Sequence, residues 1–184
     1  MILFVNGCVR EGSRTLELAQ AVLSKEQDAV QEVKLYEDGP VGLTWESLQQ
    51  RDRLLAQGAL DHEMFRWSRQ FAAADTIVLA APYWDLLFPA RVREYLEVVT
   101  VSGITFRYGD DGFPKGLCRA KRLIYVTTAG GPIFHHFGFD YVKTLVQSFF
   151  GIEEVCLVKA EGLDIWGADP KAILEQAKKD YLEA

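Results

Sequence analysis

Three polar loops carry the residue types that could hold a phosphorylated, planar ligand. The first is Gly7-Cys8-Val9-Arg10-Glu11-Gly12-Ser13-Arg14-Thr15, which leaves an apolar run and enters an amphipathic stretch. The first amides of a helix have no partner inside it, so a helix start flanked by two hydroxyls and an arginine is suited to an anion. The spacing is neither a P-loop nor G-x-G-x-x-G, and the plainer alternative is that Ser13 only caps its helix while Arg10 is solvated. The second loop is Pro82-Tyr83-Trp84-Asp85-Leu86-Leu87-Phe88-Pro89, where two prolines stiffen a segment bearing two aromatics and an acid. It offers a flat edge to a planar ligand, or ordinary packing of Tyr83 and Trp84 on neighbouring helices. The third is Thr127-Thr128-Ala129-Gly130-Gly131-Pro132, whose paired glycines let the backbone approach a ligand closely or simply turn. His135 and His136 follow it. Histidine can donate a proton near neutral pH, so His136 is a candidate to protonate a reduced acceptor, against the alternative of a surface or subunit-rim position. The three histidines make no metal site.

These loops need a scaffold that brings them together. Short apolar runs at 1–6, 32–36, 76–81, 122–127 and 154–159 read as strands, and the first, third and fourth are almost continuously apolar, as strands buried on both faces should be. Amphipathic stretches fill the intervals. Segment 13–24 places Leu16, Ala19, Val22 and Leu23 on one face, and 88–101 does the same with Val92, Tyr95, Leu96 and Val99. Asp169-Pro170 is a helix start, followed by Ile173, Leu174, Ala177 and Leu182 on the buried face. Segments 44–57 and 61–73 also read as helices, which makes the second crossover long. Met64, Trp67 and Phe71 give the latter a core-facing stripe. Segment 106–114 is an excursion with turn chemistry at Asp-Gly and Phe-Pro. Strands alternating with helices predict an α/β domain with a parallel sheet covered on both faces, and ligands bind such sheets beyond the carboxyl ends of the strands.

Composition narrows the class. The chain has 184 residues, 49% hydrophobic and 25% charged, which describes one globular domain and excludes fibrous or disordered chains. A net charge of −6 with scattered Lys and Arg argues against nucleic acid. Lys115, Arg119, Lys121 and Arg122 read as a solvated strand entrance. Cys8, Cys118 and Cys156 are odd in number without C-x-x-C spacing, so neither a disulfide framework nor a zinc site is expected and the compartment is reducing. Met1-Ile2-Leu3-Phe4-Val5 lacks the marks of a signal peptide, and no apolar run approaches the ~20 residues of a membrane span. A cytoplasmic location is expected.

Four segments together resemble the flavodoxin-like NAD(P)H:quinone oxidoreductase and FMN-dependent azoreductase family. They are Ala81-Pro82-Tyr83-Trp84-Asp85, Gly103-Ile104-Thr105-Phe106-Arg107-Tyr108, Thr128-Ala129-Gly130-Gly131, and Phe150-Gly151-Ile152 with Ala160-Glu161-Gly162. The resemblance covers nearly the whole chain. It implies a flavodoxin-like five-stranded parallel sheet in order 2-1-3-4-5 and a single flavin-binding domain over 1–184. It also implies a tightly held FMN, NAD(P)H as electron donor, a quinone or azo-type small-molecule acceptor, and a homodimer lining each flavin pocket from both subunits. Carried over by position, Ser13, Arg14 and Thr15 match the phosphate site, Pro82, Tyr83, Trp84, Asp85 and Leu86 the loop along the flavin edge, and Thr128, Gly130 and Gly131 the other ring-contacting loop. The chain departs from the pattern at Gly7 or Cys8, where azoreductases often have a serine, at Ala129, which replaces an arginine, and at Asp85, where an asparagine is common. An ionised Asp85 beside the ring would lower the flavin potential; a carboxylate turned to solvent would not. The rival within the same fold is an FMN-binding electron carrier or redox sensor. The long second crossover and the Thr105-Phe106-Arg107-Tyr108 excursion favour the enzyme.

Overall fold

The computed structural model describes residues 1–183. Its elements follow the alternation of the sequence: β1 (Ile2–Asn6), α1 (Arg14–Lys25), β2 (Val30–Lys34), α2 (Trp45–Ala56), α3 (Arg66–Ala73), β3 (Thr76–Ala80), α4 (Ala90–Val99), β4 (Phe106–Tyr108), β5 (Pro114–Gly116), β6 (Arg122–Thr128), α5 (Phe137–Leu145), β7 (Glu154–Ala160) and α6 (Pro170–Glu183). Five strands form one parallel sheet in order β2-β1-β3-β6-β7. Counted within the sheet alone this is 2-1-3-4-5, the flavodoxin-like order. Every residue of β1 is buried, and so is nearly all of β3 and β6. Apolar side chains on both faces leave these strands no stable place except the centre of a sandwich. One face is covered by α3, α4 and α5 around Phe71, Val92, Tyr95, Leu96 and Val142. The other is covered by α1 and α6 around Leu18, Ala19, Val22 and Leu174. The edge strand β2 instead exposes charged Glu32 and Lys34, which discourages pairing with another sheet edge.

Several boundaries differ from the sequence expectation, each for a local reason. The second strand runs 30–34 rather than 32–36, because the amides of Glu37, Asp38 and Gly39 all converge on the Lys34 carbonyl and close a turn there. Segment 61–73 divides into a short 3-10 turn, Glu63–Phe65, and α3. His62 starts that turn by accepting the Met64 amide on Nδ1 at 3.1 Å. The stripe of α1 is centred on Thr15, Leu18, Ala19 and Val22, with Leu16 and Leu23 half-buried at its flank. On α6, Leu182 is exposed and Tyr181 packs in its place. Helix α5 and the π-helical turn Val146–Phe150 behind it lack an expectation: no side chain caps α5 at His136, so the sequence carries no start signal. The Arg and Lys group near β6 is solvated as expected at Lys115, Arg119 and Lys121, with Arg122 half-buried, and three of its members form ion pairs, Arg119 with Asp75, Arg122 with Glu26 and Lys115 with Asp111.

The 106–114 excursion is a hairpin, β4 against β5, antiparallel. It is sewn to the body at two places. The Thr105 hydroxyl, fully buried, donates to the Val99 carbonyl at 2.9 Å, and Gly116 lies directly against the backbone of Phe150 and Gly151. A Cβ at position 116 would overlap that backbone, which has no flexible end to move aside. Gly116→Ala is therefore expected to destabilise the fold by about 1–3 kcal/mol, the range for forced overpacking. Urea unfolding followed by far-UV circular dichroism measures it, and an unchanged midpoint would show that the hairpin is not held there.

Candidate functional site

In the sheet order β2-β1-β3 the winding reverses between β1 and β3, and a cavity of about 360 Å³ opens above that point at the carboxyl ends of the strands. The loop after β1 forms one wall. Asn6 turns the chain by accepting the Cys8 amide on Oδ1 at 2.9 Å while its Nδ2 donates to Glu32 at 2.8 Å. Gly12 takes a φ of +66°, and Ser13 then caps α1 by accepting the Leu16 amide on Oγ at 3.3 Å. The amides of Ser13, Arg14 and Thr15 have no protein partner among the described residues. They form an anion-binding helix start backed by twelve residues of helix. Thr15 is buried, and its Oγ1 lies 2.6 Å from Oγ1 of Thr128, also buried. Whichever hydroxyl donates, the other keeps its hydrogen for a ligand. This pair joins the first loop to the end of β6.

The loop after β3 forms the aromatic wall. Tyr83 donates its amide to the Thr128 carbonyl at 3.1 Å, and Trp84 and Leu87 exchange backbone hydrogen bonds around Asp85 and Leu86. These two central residues have φ of 51° and 69°, the left-handed pair of a tight hairpin turn normally built from Asn-Gly. The turn fixes Trp84, whose ring centroid lies 5.6 Å from the Arg10 guanidinium carbon. The Tyr83 hydroxyl donates to the His135 carbonyl at 3.1 Å.

The third loop is zipped to the segment that follows β7. Ala129 donates to Ala160, Leu163 to Ala129, Asp164 to Gly130 and Gly162 to Gly131, all through backbone groups at 2.8–3.2 Å. Asp164 Oδ1 and Oδ2 accept Arg14 Nη1 and Nη2 at 2.8 and 3.0 Å. Its carboxylate lies so close over Gly130 that any Cβ there would collide with it. The hydrogen bond from Arg14 holds the Asp164 carboxyl below the usual range, and the same bond raises Arg14. Farther along, Glu161 Oε2 accepts the Ile133 amide at 2.7 Å and Oε1 the Lys159 ammonium at 2.8 Å. Burial acts to raise the Glu161 carboxyl, but these bonds outweigh it and keep it ionised. The Cys8 thiol is pushed up to about 11, chiefly by burial and partly by Glu32 against a lowering bond with Ser13, so it is no nucleophile at neutral pH.

Of the residues singled out from sequence, Ser13, Arg14, Thr15, Pro82, Tyr83, Trp84, Thr128 and Gly130 line this one cavity. Asp85 and Leu86 stand at the exposed tip of the turn beside it, Gly131 one residue beyond its lining, and His136 half-buried at the start of α5. His135 is exposed and its ring stacks on Phe137 with centroids 4.8 Å apart. Sequence reasoning missed Asp164 and left Arg10 and Glu11 without a role, although all three line the cavity. The signal for Asp164 was its place a few residues past the last strand, at the same sheet edge as the three loops that were read. A larger cavity of about 530 Å³ lies beside α2 among Pro40, Val41, Phe65 and Trp67. It takes in the capped start of α2 and the start of α3, but no strand end opens into it. Among the described residues no group of His, Cys, Asp and Glu is arranged to hold a metal ion, and no helix is long and apolar enough to cross a membrane.

Residues 1–184 match a family model described as the flavodoxin-like fold. The chain belongs to the flavodoxin-like fold family. Among relatives of this flavodoxin-like protein, the FMN-dependent NADH:quinone oxidoreductase 2 of Clostridium acetobutylicum is 32% identical over 186 residues, covering 93% of this chain and 92% of its own. The FMN-dependent NADH:quinone oxidoreductase of Coprothermobacter proteolyticus is 32% identical over 181 residues, 92% of this chain and 89% of its own. Among solved structures, an azoreductase from Bacillus anthracis superimposes with a TM-score of 0.83 at 22% identity, over 99% of this chain and 96% of that one. This likeness bears on the fold.

The Thr15–Thr128 hydroxyl pair generates a test of how the flavodoxin-like cavity is held together. Thr15→Val leaves the buried Thr128 hydroxyl without its partner and is expected to cost about 1–3 kcal/mol, whereas removing both hydroxyls costs less than the two single changes summed. A double-mutant cycle by urea unfolding reads the coupling; strict additivity would mean that the two hydroxyls do not support each other.

Proposed function

We propose that this chain is an FMN-dependent oxidoreductase of one domain that passes hydride from NADH, or more broadly NAD(P)H, to a quinone or azo-type acceptor. The observation that carries the reading is the junction, in one cavity, of an unpartnered helix start with hydroxyls beside it and an aromatic wall opposite. A phosphate at one end and a flat ring system at the other are what such a cavity fits, and its volume falls in the range of small-ligand sites. Full-length relatives named as FMN-dependent NADH:quinone oxidoreductases support the same assignment.

Bound FMN would supply the chemistry of accepting a hydride from the nicotinamide and delivering two electrons to the acceptor. The chain's residues do the rest. The amides of Ser13, Arg14 and Thr15, with the Ser13 and Thr15–Thr128 hydroxyls, bind the phosphate. Pro82, Tyr83, Trp84, Asp85 and Leu86 would hold one side of the flavin ring, and Thr128, Gly130 and Gly131 the other. Trp84, stiffened by the turn at Asp85–Leu86, excludes water from that side. Glu161 holds the 131–136 segment in place through the Ile133 amide, and His136 at its end is the group to deliver a proton to the acceptor from the rim. We assign the chain to the cytoplasm, as its three cysteines are free. We also propose a homodimer. Phe134 is 78% and Trp166 99% exposed, each a few residues from a cavity-lining loop, and a second copy covering these rings would complete the wall that an apolar acceptor meets.

The visible spectrum of the purified protein, as isolated and after incubation with FMN and desalting, is expected to show the two bands of oxidised flavin. The loaded protein is expected to oxidise NADH steadily with a soluble quinone. A colourless protein after both treatments overturns the assignment, and flavin uptake without quinone turnover indicates an electron carrier. His136→Ala is expected to lower quinone turnover by roughly ten- to a hundredfold, the low end for loss of a general acid, with FMN binding intact. Unaltered turnover would remove His136 from the mechanism.

A further inference from the structure

If the cavity binds the FMN phosphate as proposed above, Arg14 cannot meet it with its terminal nitrogens without giving up Asp164. Both terminal nitrogens of its guanidinium are taken by the two oxygens of Asp164, and Nη1 also points to the Leu163 carbonyl at 3.4 Å. A guanidinium keeps a second, side-on fork through Nε and one Nη, but its end-on Nη1–Nη2 fork takes one oxyanion at a time, so carboxylate and phosphate compete for that fork. Asp164 lines the same cavity, so it opposes a phosphate twice, by occupying Arg14 and by placing a like charge beside the anion. The charged groups of the lining, Arg10 and Arg14 against Glu11 and Asp164, cancel in number. The cavity is therefore not a plain cationic sink.

The pair is also built to exchange. The Arg14 side chain is 35% exposed and that of Asp164 64%, and ion pairs with this much solvent contribute little to stability. Asp164 keeps its place without the ion pair, because its own amide donates to the Gly130 carbonyl at 2.8 Å. Arg10 makes no ion pair among the described residues and rests over Trp84, which leaves it able to follow an anion.

We infer that Asp164 is a latch on the terminal fork of Arg14 that competes with the cofactor phosphate, so that this carboxylate sets how strongly the protein prefers a phosphorylated flavin. It is a positioning residue acting through Arg14. Its presence makes the flavin more readily exchanged than the helix start and hydroxyls alone would allow.

The test is titration of the apoprotein with FMN and with riboflavin, read by quenching of flavin fluorescence. Riboflavin shares the ring and lacks the phosphate. Asp164→Asn keeps the shape, the Gly130 contact and one acceptor for Arg14, and removes the charge. It is expected to tighten FMN by roughly five- to tenfold while leaving riboflavin unchanged, an effect that shrinks at high salt. In an Arg14→Gln background the same change is expected to give a clearly smaller gain in the FMN-to-riboflavin ratio, since only the direct repulsion between Asp164 and the phosphate is then relieved. An unchanged or smaller ratio in Asp164→Asn overturns the latch. An equal gain in both backgrounds also overturns it, in favour of direct repulsion. A starting protein that binds neither flavin, or binds both equally, overturns the phosphate site itself, which separates failure of that reading from failure of the latch.

Discussion

Burial of both faces of β1, β3 and β6 is the constraint on which the rest of the structure depends. These strands carry apolar side chains above and below the sheet, including Leu3, Phe4, Val78, Leu79, Leu123 and Ile124, none more than 3% exposed. A polar group inside such a sandwich costs free energy unless a partner offsets its desolvation. Chemistry is thereby driven to the strand ends, where the pattern gives way to Asn6, Thr127 and Thr128, the buried polar residues that mark the top of the sheet. The parallel arrangement puts all five carboxyl ends on one side, so the loops that can carry function are neighbours before any of them forms a contact.

Neighbouring loops do not by themselves make a site; specific bonds between them do. The Thr15–Thr128 hydroxyls tie α1 to β6, the Tyr83 amide ties the third strand's loop to Thr128, and the backbone zipper from Ala129 to Asp164 ties β6 to β7. Thr128 stands in the middle of two of these links. Gly130 illustrates how closely the parts are fitted. A Cβ there would press on the Asp164 carboxylate where it pairs with Arg14, so the glycine leaves room for that ion pair beside the cavity.

The periodicity of the sequence was enough to locate five sheet strands, while their order and most of the cavity wall came from the family resemblance together with the loops at the strand ends. This succeeded because the central strands are buried on both faces and therefore announce themselves as continuous apolar runs. The edge strand β2 has only Val33 buried within it, and its boundaries were misplaced accordingly. Helix α5 was invisible for a related reason, since it begins at an uncapped histidine after a glycine and proline turn. In the site, residues next to a strand end were found, and Asp164 was not, because its role arises from meeting Arg14 across 150 positions of sequence. Pairings of that kind have no periodicity to read.

The turn at Asp85–Leu86 shows the local pattern yielding to the site. Two side-chain-bearing residues hold positive φ where glycine or asparagine would be at ease, at a cost of about 1–3 kcal/mol each. Such a conformation persists only when its surroundings determine it. Here Phe88 is buried immediately after the turn, Pro82 immediately before it, and Tyr83 is bonded at both its amide and its hydroxyl. Both ends of the turn are thus fixed by the core, and the tip has no freedom to relax into an open loop. The same restraint that strains Asp85 and Leu86 keeps Trp84 facing Arg10 across the cavity mouth. A more permissive pair of residues would ease the backbone and loosen that wall, so the strain and the rigidity of the aromatic edge are two consequences of one geometry.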